Sequence, residues 1–123
     1  MLRTNNLYIG YGRRAVQSDL NLHANARDLI CLTGTNGCGK STLLRTLAGL
    51  QKPLKGDITI QGKSVQKLTK YERSTLFSLV LTDSIDTEYL TVHDLVALGR
   101  FPYTNWAGSL SDMDEAKIAE SIH

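Results

Sequence analysis

Gly34-Thr35-Asn36-Gly37-Cys38-Gly39-Lys40-Ser41 decides how the rest of the chain is read. The octapeptide fits G-x-x-x-x-G-K-S/T without a mismatch, the pattern of a phosphate-binding loop, or P-loop. Binding a polyphosphate means replacing its water with fixed donors. A glycine-rich turn achieves this because successive N–H groups, freed of Cβ atoms, converge on one anion. The helix that follows adds its positive end and its unpaired N–H groups. Lys40 supplies a mobile charge for the β- and γ-phosphates, and Ser41 a hydroxyl for the shell of a Mg²⁺ ion. Thr42 is placed to donate to the α-phosphate. A chance match in a chain of this length has a probability on the order of a few in a thousand.

The flanks supply the context that such a loop needs. Residues 29–33, Leu-Ile-Cys-Leu-Thr, form an apolar run that ends at Gly34, and they predict a strand buried on both faces, with Cys31 in the core. After Lys40 the period changes. Leu43, Leu44, Leu47 and Ala48 recur at helical spacing, and Gly49 and Pro53 close that helix. The fold class is therefore α/β.

Further out, residues 7–11 and 20–23 predict two short strands joined by a polar turn at Gly12–Arg14. Lys55-Gly56-Asp57 reads as a turn, Ile58 and Ile60 as a half-buried strand, and Gly62-Lys63 as the next turn. Residues 76–81 are a second candidate for a buried strand. Thr91 with Asp94 has the spacing of a capping box ahead of Val92, Leu95, Val96 and Leu98, and Gly99 and Pro102 end that helix. Ser111 with Asp114 repeats the signal for a last helix bearing Ile118, Ala119 and Ile122.

Composition narrows the function classes. With 123 residues there is room for one domain with a modest core. Fourteen basic residues stand against 12 acidic ones, a net charge of +2, too balanced for a nucleic acid partner. Lys63, Lys67, Lys70 and Arg73 cluster, and they read as a solvated face. Two cysteines give no disulfide framework, and His23, His93 and His123 have no metal-ligand spacing. No apolar stretch reaches the length of a membrane span and no signal-peptide pattern follows Met1, so a cytoplasmic location is expected.

Asn36-Gly37-Cys38-Gly39-Lys40-Ser41-Thr42-Leu43-Leu44, followed by Leu47-Ala48-Gly49-Leu50, resembles the Walker A segment of ABC transporter ATPases. The likeness covers essentially the whole chain. It implies a P-loop NTPase, an ABC-type ATPase core with an antiparallel β subdomain. Residues 1–90 would be the β subdomain and P-loop core, and residues 91–123 the start of a helical subdomain. By the same resemblance ATP lies against Asn36, Gly37, Cys38, Gly39, Lys40, Ser41 and Thr42, with Tyr11 stacking on adenine and Val16 flanking the nucleotide. Cys38 then fills space beside the phosphates, where alkylation would block binding.

Leu90-Thr91-Val92-His93-Asp94-Leu95-Val96-Ala97-Leu98-Gly99-Arg100-Phe101-Pro102 resembles the opening of the helical subdomain in importers of ferric siderophores, haem and cobalamin. There the region faces a transmembrane permease and passes on ATP-driven closure, at the inner face of the cell membrane. In that family a second ATPase subunit completes the site as a dimer.

Three departures qualify the resemblance. Where the family carries a glutamine that reaches Mg²⁺ and the attacking water, this chain has Thr82, whose hydroxyl reaches an ion only from close by or through a water. Arg27-Asp28 replaces the usual Gly-Glu, and Arg27 strains a turn by about a kcal/mol. No Leu-Ser-Gly-Gly-Gln signature, Walker B strand or switch histidine is present, so the chain reads as the N-terminal half, binding ATP without hydrolysing it. The other readings are a non-transport P-loop ATPase, a small-molecule kinase, or a silent interaction module.

Overall fold

The computed structural model describes residues 1–80 and 89–122. It divides into two compact units, Met1–Leu79 and Val80–His123.

The first unit is built on a five-stranded sheet: β1 (Leu2–Tyr11), β2 (Arg14–Leu20), β3 (His23–Ala24), β4 (Lys55–Ile60) and β5 (Lys63–Ser64). The order is β2-β1-β4-β5, with β3 also on β1, and every pairing is antiparallel. Two-residue turns close the hairpins. Gln61 and Gly62, at φ 50° and 80°, join Ile60 to Lys63 with the left-handed pair that suits the twist of the strands. β1 is longer than the predicted residues 7–11, and the expected strand at 20–23 is split between the end of β2 at Leu20 and the start of β3 at His23, with Asn21 and Leu22 between them.

Helix α1 (Lys40–Leu47) lies on this sheet. Leu7, Ile9 and Ile58 from the strands meet Leu43, with Val65 and Leu68 closing the cluster. Of the expected helical stripe Leu43 and Ala48 are buried, while Leu44 is half-exposed. Gly49, at φ 71°, ends the helix in the left-handed conformation that glycine enters at least cost, and the Leu50 N–H returns to the Arg45 carbonyl.

A helix stands where the sequence predicts only a solvated face for the basic cluster. α2 (Lys70–Leu76) is opened by a complete capping box between Thr69 and Glu72. Arg73 is not a solvated cation. Its guanidinium donates from Nη1 to the Gly49 carbonyl and from Nη2 to the Leu68 carbonyl, tying α2 to the end of α1.

Two expected strands do not form. Residues 29–33 have no regular structure, Leu29 is 99% exposed and Cys31 is exposed rather than in the core. A strand buried on both faces needs hydrogen-bonded neighbours, and no strand among the described residues runs beside this one. The candidate at 76–81 loses Leu76 to α2. Phe77 and Leu79 are half-buried without a ladder, Val80 is exposed, and Leu81 lies outside the described residues.

The second unit holds α3 (Val92–Ala97), a 3₁₀ segment Leu98–Tyr103 and α4 (Asp112–Ile122). The Thr91–Asp94 box caps α3 as expected. The chain stays helical past Gly99 by tightening to 3₁₀ geometry, which takes Pro102 in its course. Asp114 is buried and accepts from the Ser111 N–H and hydroxyl and from Nε and Nη2 of Arg100. The Ser111 bonds, with Arg100 beside them, hold its carboxyl down to about 2. Among the described residues no helix is long and apolar enough to cross a membrane.

Candidate functional site

Gly39 is the N-cap of α1, at φ 99°, and no side chain caps the helix. The first turn carries no acidic residue. The opening N–H groups, which have no carbonyl a turn earlier to accept them, are therefore left for an anion. Glycine at this position is a steric requirement as well as a conformational one. A Cβ there would stand 2.8 Å from Cγ1 of Val16 on β2.

The Lys40 ammonium crosses the loop, donating to the carbonyls of Gly34 at 2.8 Å and Thr35 at 2.7 Å, with the Cys38 thiol 3.8 Å away. Asn36 and Gly37 form the exposed turn at the tip of the loop, and Ser41 is exposed on the first helical turn. Thr42 is buried. Its Oγ1 and the hydroxyl of Tyr11, at the end of β1, share a hydrogen bond of 3.2 Å. The rest of the Tyr11 side chain is largely open to solvent, 58% exposed overall.

Tyr11, Val16 and residues 34–42 are thus brought together in one place. Thr82 lies outside the described residues. One further contact joins the group. The side-chain amide of Gln17 donates to the Cys38 carbonyl at 3.0 Å. Adjacent strand residues ordinarily point to opposite faces. Here Ile9 pairs with Gln17 and Gly10 with Ala15, so Val16 is the extra residue of a β-bulge and both Val16 and Gln17 reach the loop. Nothing in the sequence marks that bulge.

A cavity of about 490 Å³ lies at the other end of α1, bordered by Gly49, Lys52, Lys55, Lys67 and Arg73. Two of its four cations are engaged within the fold. Arg73 holds backbone carbonyls, and Lys55 sits 5.3 Å from the Tyr8 ring. The convergence of open N–H groups, ammonium and hydroxyls at residues 34–42 is the stronger candidate.

The family model of the ABC transporter matches residues 17–121. An uncharacterised ABC transporter ATP-binding protein of Methanocaldococcus jannaschii is 40% identical over 98% of this chain and 42% of its own length. The petrobactin import ATP-binding protein FpuD of Bacillus anthracis is 35% identical over 98% of this chain and 44% of its own. The chain therefore spans less than half the length of these relatives. Among solved structures, an ATP-binding subunit of an ABC transporter superposes with a TM-score of 0.75 at 26% identity, over 95% of this chain and 46% of that one.

Proposed function

The chain belongs to the ABC transporter family, and on that premise we propose that it binds ATP as part of the nucleotide-binding subunit of an importer for an iron chelate or a related cofactor. The observation that carries the reading is the loop at residues 34–42, where uncapped helix N–H groups and the Lys40 ammonium converge beside an exposed aromatic side chain. The names of relatives such as the petrobactin importer's ATP-binding protein support the cargo class.

In this reading Asn36, Gly37, Cys38, Gly39, Lys40, Ser41 and Thr42 hold the phosphates, and Lys40 exchanges its carbonyl partners for phosphate oxygens. Ser41 fits a Mg²⁺ ion, because its hydroxyl is exposed on the first turn and Mg²⁺ takes few protein ligands beside phosphates and water. The ion would neutralise charge on the phosphates. Tyr11 offers an aromatic face to adenine, and Val16 flanks it against Gly39. Thr82 is proposed to meet the ion from close by or through a water.

Residues 91–123 are proposed as the start of the helical subdomain, presenting exposed Val92, Leu98, Phe101 and Trp106 to a permease at the inner face of the membrane. Hydrolysis, with a second ATPase subunit completing the site, is proposed for a chain of the relatives' length, and binding alone for residues 1–123.

Calorimetry with Mg²⁺ and ATP tests the reading. Binding is expected, and Lys40→Ala should weaken it at least about tenfold, the worth of a charge-assisted contact. Unchanged affinity in Lys40→Ala would remove the loop from the argument. Turnover by residues 1–123 that Lys40→Ala abolishes would overturn the restriction to binding.

A further inference from the structure

We propose that Gln17 is a positioning residue for the phosphate loop, its side-chain amide fixing the Cys38–Gly39 peptide so that the Gly39 N–H faces a bound phosphate. The inference deepens the nucleotide reading and rests on it.

The argument starts from peptide geometry. No peptide bond among the described residues is cis, and in a planar trans peptide the C=O and the next N–H point in opposite directions. The Cys38 carbonyl accepts from Gln17 Nε2 on the β2 side of the loop. The Gly39 N–H is therefore aimed away from β2, and it has no partner among the described residues. Val16 closes the same side, with Cγ1 2.8 Å from where a Cβ of residue 39 would fall.

A clamp is needed because this peptide is otherwise free to turn over. Glycine enters both halves of backbone space at little cost, and both Gly37 and Gly39 flank Cys38. Turned over, the peptide would present a carbonyl oxygen to an anion in place of a donor. The bulge at Val16 is what brings Gln17 within reach, so the hairpin beside the adenine position also sets the geometry at the phosphates.

The test compares the unchanged protein with Gln17→Met, which keeps the side chain's length and removes the donor. Binding of ATP and of inorganic tripolyphosphate, each with Mg²⁺, is read by calorimetry. Gln17→Met should weaken both ligands by a similar factor, about fivefold, as expected for the loss of one neutral hydrogen bond. Loss of ATP affinity alone would place the effect at the base and overturn the proposal, as would two affinities unchanged in Gln17→Met.

If Gln17→Met melts early, Gln17→Glu answers the same question. Its ionised carboxylate cannot donate, so tripolyphosphate affinity should fall about tenfold at pH 7.5. The gap to the unchanged protein should narrow as the pH is lowered toward 5 and the carboxyl regains a proton to donate. A gap that is constant with pH would mark a merely structural role and overturn the proposal. An unchanged protein that binds neither ligand would defeat the nucleotide reading and this inference together, whereas binding by both proteins with equal affinity defeats the inference alone.

Discussion

The Tyr11 hydroxyl and Thr42 Oγ1 share a hydrogen bond of 3.2 Å, which ties the end of β1 to the first turn of α1. Under the proposed nucleotide reading, one tyrosine would have two separable roles. Its ring offers a stacking face, and its hydroxyl engages a group that the phosphate reading also uses. Tyr11→Phe keeps the ring and frees the Thr42 hydroxyl. ATP affinity should stay within about twofold, with stability lowered by about 1 kcal/mol for the lost bond. Tyr11→Ala should lose about tenfold or more in ATP affinity, since base–aromatic stacking contributes roughly 1–3 kcal/mol. Its affinity for tripolyphosphate should not change. Equal losses for both ligands in Tyr11→Ala would show that Tyr11 supports the loop rather than the base.

Arg27 adopts φ 69°, the left-handed region that a side chain enters only with strain. The strain expected from its place in the sequence is therefore present in the backbone. Arg27→Gly relieves the clash of Cβ with the following carbonyl while adding freedom to the unfolded chain, and the first effect wins at a positive φ. The variant should be more stable by about 0.5–1 kcal/mol in urea, with an unchanged m-value. A loss of stability would mean that the Arg27 side chain holds something its exposure does not suggest.

What the sequence discloses depends on how local each signal is. The Thr91–Asp94 and Ser111–Asp114 boxes join residues three apart, and both helices start where those pairs stand. Thr69 and Glu72 carry the same signal for α2, but it falls among Lys63, Lys67, Lys70 and Arg73, which read together as a solvated face. The loop at residues 34–41 is legible because its glycines, lysine and serine are contiguous. Gln17 is not, because its contact with Cys38 depends on a bulge set by the pairing of two strands. Residues 29–33 show the opposite failure. Their apolar pattern states a need for partners on both sides, and pattern alone does not supply the partners.

Leu29 and Ile30, at 99% and 62% exposure, turn that mismatch into a measurable liability. An extended apolar run with unpaired backbone groups is a template for association with another chain. In this structure the side chains make little contact, so Leu29→Lys with Ile30→Glu should change the unfolding free energy by less than about 0.5 kcal/mol. The same double substitution should raise the protein concentration at which light scattering first detects association. A stability loss of about 2 kcal/mol or more, the scale of a buried leucine, would show that residues 29–33 are packed in solution.

Asp114 contributes a pH dependence to the second unit, beside the lowered carboxyls of Asp94 and Glu120. Its carboxyl is lowered from the ordinary 3.8 to about 2, first by the Ser111 hydroxyl and N–H and then by Arg100. Because the folded value lies below the unfolded one, the contribution is fully present above about pH 4. It is lost as the pH falls through about 2, when the protonated carboxyl no longer accepts from all four donors. Helicity of α4, followed by NMR shifts of residues 112–122, should therefore hold from neutral pH down to about 4 and fall steeply below 3. Asp114→Asn keeps the shape of the side chain but removes its charge. The variant should be less stable than the unchanged protein at pH 7, and the difference between them should vanish near pH 2. A difference of the same size at both pH values would assign the effect to packing around Asp114 instead of to its charge.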